Sequence, residues 1–331
     1  MPRWARLQGS IVLNSAAARR PSTVSTHKKK GKQTMNNLPS HFKSPKGEAE
    51  YMAAYEATMR LWAVPYEAMD IRSRFGSTHL VICGPKDAPP LILLHSFFMS
   101  LTVWAYNIAD LSRAYRVYAL DMMGQPSKSI PDQPMRDRGE MAEWLTGVLD
   151  ALRISQMDII GWSYGGFAAL NYTIHRPDRL RKLVLLTPIG SFVPLKTQFY
   201  VRSMLTRLPG RYWSNNMMHW MYYEPNLKNE KTKRMFDLIT NQFYPGVRYF
   251  QLPPTVLPVP YMDEELRGVK NSTLLLIGQQ ESLYDPVAAI ERAKRLIPNI
   301  QAELIPHAGH ELPGGQPETV NRKILEFLKG D

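Results

Sequence analysis

Residues 157–166 read MDIIGWSYGG. The first four residues form a largely apolar run typical of a buried strand, and a helical pattern begins directly after the glycines. Between them lies a G-x-S-x-G motif with Ser163 at its centre, in a strand-turn-helix context. Its flanking glycines, Gly161 and Gly165, allow a tight and strained turn in which neighbouring chain segments approach closely. The stretch therefore predicts a turn that holds the Ser163 hydroxyl clear of the backbone, at the end of a parallel strand.

Strand and helix patterns alternate on both sides of this turn. Apolar runs that predict buried parallel strands lie at residues 91–94, 116–120, 157–160, 182–186, 273–277 and 302–305. Helical patterns lie at residues 101–114, 137–152, 165–175, 286–296 and 317–328. Before them come an amphipathic helix, residues 48–61, and two strands within residues 66–84. The alternation predicts an α/β fold, with a mostly parallel sheet flanked by helices on both faces.

One interval, residues 191–262, breaks the alternation because it contains no convincing buried strand. It is rich in Met, Tyr, Trp and Pro. We predict a helical cap inserted before the strand at 273–277. Its aromatic and Met side chains either line an apolar substrate cavity or pack the cap onto the body, and the sequence leaves both alternatives open.

The positive charge of the chain lies mainly at its N-terminus. The formal net charge is +12 over 331 residues, and ten of the 41 Lys and Arg residues precede the first acidic residue, Glu48. The other 31 nearly balance the 29 acidic residues, so we do not expect the body to bind nucleic acid. We predict a disordered basic extension over residues 1–40 and one domain over residues 41–331. For the extension, a targeting peptide and a functional basic arm are the alternatives, and Met35 is a plausible native start.

Two further features restrict the class of protein. No apolar run approaches the roughly 18 to 20 residues of a transmembrane helix, so we expect no membrane span. The single cysteine, Cys83, has no partner within the chain for a disulfide, which suits a reducing compartment and a cytoplasmic location. Its apolar context predicts a buried side chain on a strand.

A serine hydroxyl needs a base to become a nucleophile, and that base needs a group to orient it. The loop after the last predicted strand reads PHAGH, in which His310 fits the base and His307 a structural role. No nearby Cys or carboxylate cluster completes a metal site, so we expect no metal. The loop after the preceding strand offers Glu281, with Asp285 as the rival acid. The chain order serine, acid, histidine is the order expected with such a serine turn.

A further loop, after the first parallel strand, reads HSFF over residues 95–98. In a fold with this serine turn, the amide after the nucleophile and an amide from this early loop stabilise the oxyanion. The predicted donors are therefore the backbone amides of Phe97 and Tyr164.

In combination, these motifs resemble those of the α/β hydrolases, and among them bacterial serine carboxylesterases with a Ser-Glu-His triad. The resemblance extends from about residue 35 to the C-terminus. Residues 161–165 look like the nucleophile elbow, residues 95–97 like the oxyanion loop and residues 308–310 like the loop of the catalytic histidine. Residues 274–286, with Glu281, are similar to the acid loop of the esterases that use glutamate.

The chain departs from the family pattern at two positions. Most relatives have glycine where Ser96 stands, and a side chain there alters the loop or narrows the pocket. Most relatives also use aspartate as the acid, which keeps Asp285 as an alternative to Glu281.

The expected function is hydrolysis of carboxylic esters with apolar groups through an acyl-enzyme, without metal or organic cofactor. A serine at the elbow excludes haloalkane dehalogenases and epoxide hydrolases, which need aspartate there. A carbon-carbon bond hydrolase, a thioesterase, a lactonase and a ligand-binding protein of low turnover are the alternatives. The sequence leaves the oligomeric state open. Predicted pocket residues, with plain core packing as the alternative for each, are Phe98, Met99, Trp104 and Trp162.

Overall fold

The structure is a computed structural model that describes residues 41–330, so the predicted extension over residues 1–40 lies outside the described residues. The strands are β1 Glu67–Ser73, β2 Gly76–Cys83, β3 Pro90–Leu94, β4 Arg116–Leu120, β5 Ile130–Pro131, β6 Met157–Trp162, β7 Leu180–Leu186, β8 Ser272–Gly278 and β9 Ile300–Ile305. The α-helices are α1 Pro45–Met59, α2 Ile108–Leu111, α3 Arg138–Ala151, α4 Tyr164–His175, α5 Thr197–Leu205, α6 Tyr212–Met221, α7 Glu230–Tyr249, α8 Asp263–Arg267, α9 Pro286–Leu296, α10 Leu312–Gly315 and α11 Pro317–Lys329. Three 3-10 helices lie at Leu101–Tyr106, Pro177–Arg179 and Glu224–Lys228.

The strands of residues 41–330 form a single sheet in the order β1-β2-β4-β3-β6-β7-β8-β9, with the short β5 paired to β2. From β4 to β9 along this order, neighbouring strands are parallel. The edge pair β1 and β2 is antiparallel, and β2 is antiparallel to β4. The predicted mostly parallel sheet is confirmed. Because parallel strands end at the same edge, the loops after β3, β6, β8 and β9 meet on one side of the sheet.

Both faces of the sheet are covered, which explains the unbroken apolar runs in its central strands. Along β3, Leu91 and Leu93 lie in one hydrophobic core, whereas Ile92 and Leu94 lie in the other. The first core includes residues of α1, α2 and α11, and the second includes residues of α3, α4 and α9. Side chains alternate between the faces of a strand, so one apolar run fills two cores.

The predicted helix over residues 101–114 is wrong in its continuity. The structure has a 3-10 helix and then the one-turn α2, with Asn107 between them. The Asn107 side chain donates to Asn321 Oδ1 at 2.7 Å and to the Pro313 carbonyl at 3.1 Å. Buried side-chain hydrogen bonds of this kind compete with regular helix, and they tie the segment to the C-terminal helices instead.

Between β7 and β8, residues 191–262 contain α5, α6, α7, a 3-10 helix and an irregular stretch. We call these residues the cap. In this described interval no residue joins the sheet, and Phe250 makes only an isolated bridge with Phe42. The long helix α7 packs against α1 of the body, so close that a Cβ on Gly47 would lie 2.4 Å from the Tyr249 ring.

The structure also bears on two further sequence features, the hydropathy of the helices and the environment of Cys83. Within residues 41–330, no helix has both the length and the hydropathy of a membrane span. Cys83 is buried at the end of β2, and burial raises the pKa of its thiol to about 12.

Candidate active site

Ser163 lies between the last residue of β6 and the first residue of α4. Its φ of 56° and ψ of −115° fall outside the regions that L residues usually occupy. Its N–H donates to the Leu186 carbonyl at 2.9 Å, which fixes the turn to the neighbouring strand β7. Strain of this kind persists only where surrounding contacts determine the backbone, and it is concentrated at functional sites.

The glycines of the motif are required because other backbone segments approach them closely, and not because the turn must be flexible. A Cβ on Gly161 would lie 2.2 Å from the Gly165 carbonyl oxygen, and one on Gly165 would lie 2.1 Å from the Leu94 carbonyl oxygen. Both contacts are with backbone, which cannot move aside as a side chain does. The second contact also presses the Ser163 turn against the end of β3, where the loop 95–98 begins.

We expect Gly165→Ala to destabilise the protein by about 3 kcal/mol or more, because overpacking against backbone displaces β3. The matched control is Gly147→Ala in α3, where the new Cβ would meet only the Ser73 Cβ, at 3.9 Å. Alanine has the higher helix propensity, so the control is expected to gain up to about 1 kcal/mol. Urea unfolding followed by circular dichroism measures both changes, and similar stability of the two variants would contradict this account of the turn.

The structure brings Ser163 together with its predicted base, His310, and the predicted orienting acid, Glu281. His310 Nε2 lies 2.7 Å from Ser163 Oγ, and His310 Nδ1 lies 2.7 Å from Glu281 Oε2. All three side chains are buried. The hydroxyl can donate to the imidazole while the other ring nitrogen donates to the carboxylate, which is the arrangement that nucleophilic serine chemistry requires.

The rival acid, Asp285, lies elsewhere. It is the N-cap of α9, where its side chain accepts from the Val287 and Ala288 amides at 3.0 and 3.1 Å. Glu281, by contrast, is buried and also accepts from the Leu283 N–H at 2.9 Å. The geometry therefore favours Glu281 as the partner of the imidazole.

The loops that carry the acid and the histidine are joined directly. The Gln280 N–H donates to the Ala308 carbonyl at 2.9 Å, and the Ala308 N–H donates to Gln280 Oε1 at 3.0 Å. These reciprocal bonds couple the two loops, so the distance between Glu281 and His310 does not depend on their own hydrogen bond alone.

Of the two predicted oxyanion donors, Phe97 lies in the loop after β3 and Tyr164 is the first residue of α4. The Phe97 and Tyr164 rings pack with centroids 5.0 Å apart. In the part of the chain that the structure describes, neither backbone N–H of these two residues donates to an acceptor within the chain. The next amide, that of Phe98, is occupied, since it donates to Gln125 Oε1 at 3.0 Å. These two amides therefore stay the predicted donors for an oxyanion.

A buried histidine holds the loop 95–98, the predicted oxyanion loop, against the loop after β4. His95 Nε2 accepts from the Met122 N–H at 2.8 Å, and Nδ1 donates to the Ser96 carbonyl at 2.8 Å. Burial lowers the pKa of His95. The imidazole is therefore neutral, with its proton on Nδ1, and Ser96 lies buried beside it.

We expect acidification from pH 7 to pH 5 to destabilise the protein through His95. Because its pKa is lowered by folding, the unfolded chain binds the proton first, below about pH 6.5. Stability then falls as pH falls, by up to about 1.4 kcal/mol per pH unit, until the folded pKa is reached. Urea unfolding at the two pH values should show a smaller loss for His95→Gln than for the wild type. Equal losses in both proteins would contradict the assignment.

The predicted pocket residues occupy different environments. Met99 and Trp104 lie in the hydrophobic core with 3% and 0% of their surface exposed. Phe98 is half-buried and faces Phe243 of the cap helix α7, with ring centroids 6.3 Å apart. Trp162 is buried, and its indole N–H donates to the His310 carbonyl at 2.9 Å. These contacts favour Phe98 as a residue between site and cap, and the lining of the pocket stays a prediction.

Several side chains that support the site have no signal in the sequence. Gln125 fixes the Phe98 amide, and Thr187 Oγ1 donates to the His310 carbonyl at 3.3 Å. Both residues stand outside the motifs, and no local pattern marks them. His307 has no contact with the serine or the acid among the described hydrogen bonds. Its backbone carbonyl accepts from Asn226 and Gln316 instead.

The model of the alpha/beta hydrolase fold family matches residues 89–314, and the chain belongs to this family. A Bacillus subtilis protein named "uncharacterized carboxylesterase nap" is 36% identical over 288 residues, which are 85% of this chain and 93% of that protein. Among solved structures, the carboxylesterase CesB (YbfK) from Bacillus subtilis matches with a TM-score of 0.81 and 33% identity, over 86% of this chain and 99% of that one. The naproxen esterase from the same organism matches with a TM-score of 0.80 and 34% identity, also over 86% of this chain and 99% of the other.

Proposed function

We propose that this protein is a carboxylesterase in which Ser163 is the nucleophile, His310 the general base and acid, and Glu281 the orienting acid. The observation that carries the proposal is the chain of two 2.7 Å contacts from Ser163 through His310 to Glu281. The similarity to carboxylesterases over most of the chain supports the same reaction class.

The proposed reaction has two steps. Ser163 Oγ attacks the ester carbonyl while His310 Nε2 takes its proton, and the tetrahedral intermediate collapses when His310 protonates the departing alcohol. A water molecule, deprotonated by His310, then attacks the acyl-enzyme. The second tetrahedral intermediate collapses with cleavage of its bond to Ser163 Oγ, which takes the proton back from His310, and the acid is released. Glu281 accepts from Nδ1 throughout, which fixes the tautomer and stabilises the imidazolium that forms in each step.

The oxyanion of both intermediates is assigned to the backbone amides of Phe97 and Tyr164. Their lack of an acceptor within the described residues supports this role, because donors that are already free need no rearrangement during the reaction. Because these donors are backbone groups, no side-chain substitution deletes them.

The proposed substrates are small esters with apolar acyl or alcohol groups. The rings of Phe97 and Phe98 pack edge to face with centroids 4.7 Å apart, next to the Ser163 turn and opposite the cap. Aromatic walls favour apolar groups over charged ones. A cytoplasmic location is part of the proposal, and the unpaired Cys83 is consistent with it.

The test combines turnover with labelling. Purified protein is offered p-nitrophenyl esters of graded chain length and naproxen methyl ester, and it is treated with a fluorophosphonate whose attachment site is mapped by mass spectrometry. We expect ester hydrolysis and labelling at Ser163. Absence of both would overturn the proposal. Labelling at Ser163 with a vinylogous diketone cleaved faster than every ester would favour the carbon-carbon bond hydrolase instead.

A further inference from the structure

The backbone of His310 is held from two sides. Its carbonyl accepts from Trp162 and Thr187, which belong to the body of the protein. Its N–H donates to the carbonyl of Met221 at 2.9 Å, and Met221 is the last residue of the cap helix α6. One of the bonds that define the position of this histidine therefore comes from the cap.

A buried carboxyl group next to the histidine makes a second contact with the cap. Glu311 is 1% exposed, and its Oε1 accepts from the Asn226 side-chain amide at 3.1 Å. The same amide group donates to the His307 carbonyl at 3.0 Å. Burial raises the pKa of Glu311, and the bond from Asn226 and the nearby N–H groups of Tyr223 and Gly309 oppose that effect. The proposed reaction makes no use of this carboxyl group.

Gly309 allows the cap and the histidine loop to approach at this point. A Cβ on Gly309 would lie 2.7 Å from Glu311 Oε2, 2.8 Å from the Met221 carbonyl oxygen and 3.0 Å from the Tyr223 nitrogen. Any other residue would push the two chain segments apart. The glycine on the histidine side of the contact therefore permits direct approach to the backbone of the cap.

We propose that Glu311 and Asn226 are positioning residues that fix His310 by clamping the cap segment 221–226 to the histidine loop. We call Met221, Asn226, Gly309 and Glu311 the cap-histidine clamp. Loss of the clamp lets the His310 backbone move, and displacement of a catalytic group by about 1 Å can cost about a hundredfold in rate. The cap then contributes to the chemical step as well as to substrate entry. This inference rests on the proposed role of His310.

The first test is Asn226→Ala in the full chain, with Asn215→Ala as the matched control. Asn215 is an exposed asparagine of the same cap, and its side chain makes none of the described hydrogen bonds. We expect Asn226→Ala to lower kcat for a p-nitrophenyl ester about tenfold with KM within about twofold, since the lost contact acts on a group of the transition state. The rate of fluorophosphonate labelling should fall in parallel, because it also needs the imidazole in place. The control should keep both rates.

The second test separates the shape of the clamp from its charge. Glu311→Gln keeps an oxygen for Asn226 and nearly the same volume, so kcat should stay within about threefold of wild type, whereas Glu311→Leu should lose about tenfold. Combining Glu311→Leu with Asn226→Ala should cost little more than either alone, because residues of one hydrogen-bond network do not act additively.

The results distinguish failure of the clamp inference from failure of the proposed function. If wild type hydrolyses esters and is labelled at Ser163, but the variants lose only thermal stability or change only KM, the clamp is a structural anchor and the inference is overturned. If wild type does neither, the proposed function has failed. Asn226 is only half-buried, so its variant remains informative even where Glu311→Leu does not fold.

Discussion

Ser163→Ala is expected to lower kcat for a carboxylic ester by about 10⁵- to 10⁶-fold, because it removes the proposed nucleophile and leaves only binding and oxyanion stabilisation. The change deletes one buried oxygen and its bond to His310, in a turn whose backbone is fixed by Leu186 and by glycine packing. Steady-state kinetics with a p-nitrophenyl ester measure the loss. Fluorophosphonate labelling should disappear with it.

Two further measurements check that the Ser163→Ala variant is folded. Its circular dichroism spectrum and its binding of a slowly exchanging ester or product should match wild type, since the pocket is unchanged. Retention of more than about 1% of the wild-type kcat would mean that another residue is the nucleophile, because the remaining catalysis without a nucleophile is far weaker.

Glu281→Ala is expected to lower kcat about 10⁴-fold. Without the carboxylate, His310 loses the acceptor for its Nδ1 proton, so its ring is free to adopt the wrong tautomer and the imidazolium is left unpaired in a buried site. The carboxylate also accepts from the Leu283 N–H, so some loss of stability accompanies the loss of rate. Kinetics well below the unfolding temperature separate the two effects.

Asp285→Ala is the matched control, since it removes the other acid of the same loop. We expect its kcat within about twofold of wild type and its stability lower by about 1 kcal/mol, which is the usual cost of losing a helix N-cap. Equal and mild losses of kcat in the two variants would contradict the assignment of Glu281.

The local sequence predicts those parts of the fold and of the candidate site that lie at the ends of parallel strands. The apolar run before Gly161, the glycines around Ser163 and the chain order of acid and histidine predict the sheet and the elements of the site, because parallel strands deliver their loops to one edge. Glu281 is favoured over Asp285 by its place closer to the end of β8. The structure adds that Asp285 is occupied as a helix cap.

The contacts that the sequence did not predict join residues far apart in the chain. Asn226 and Glu311 are 85 residues apart, and neither lies in a recognisable motif. Asn107 interrupts a predicted helix because its side chain reaches Asn321, and nothing near Asn107 indicates this partner. Side-chain hydrogen bonds of this type depend on tertiary packing, which local patterns do not encode.

The insertion of the cap between β7 and β8 has a consequence for evolution and for engineering. An insertion at this point changes no strand pairing, so α5 and the residues of α6 before Met221 can diverge or be exchanged to alter which esters are accepted. A graft that replaces residues 221–226, however, also removes the partners of the His310 amide and of the Glu311 carboxyl group. Chimaeras should therefore retain turnover when foreign sequence replaces cap residues before 221 or after 226 and the segment 221–226 is kept. These six residues limit how much of the cap can be exchanged to change specificity.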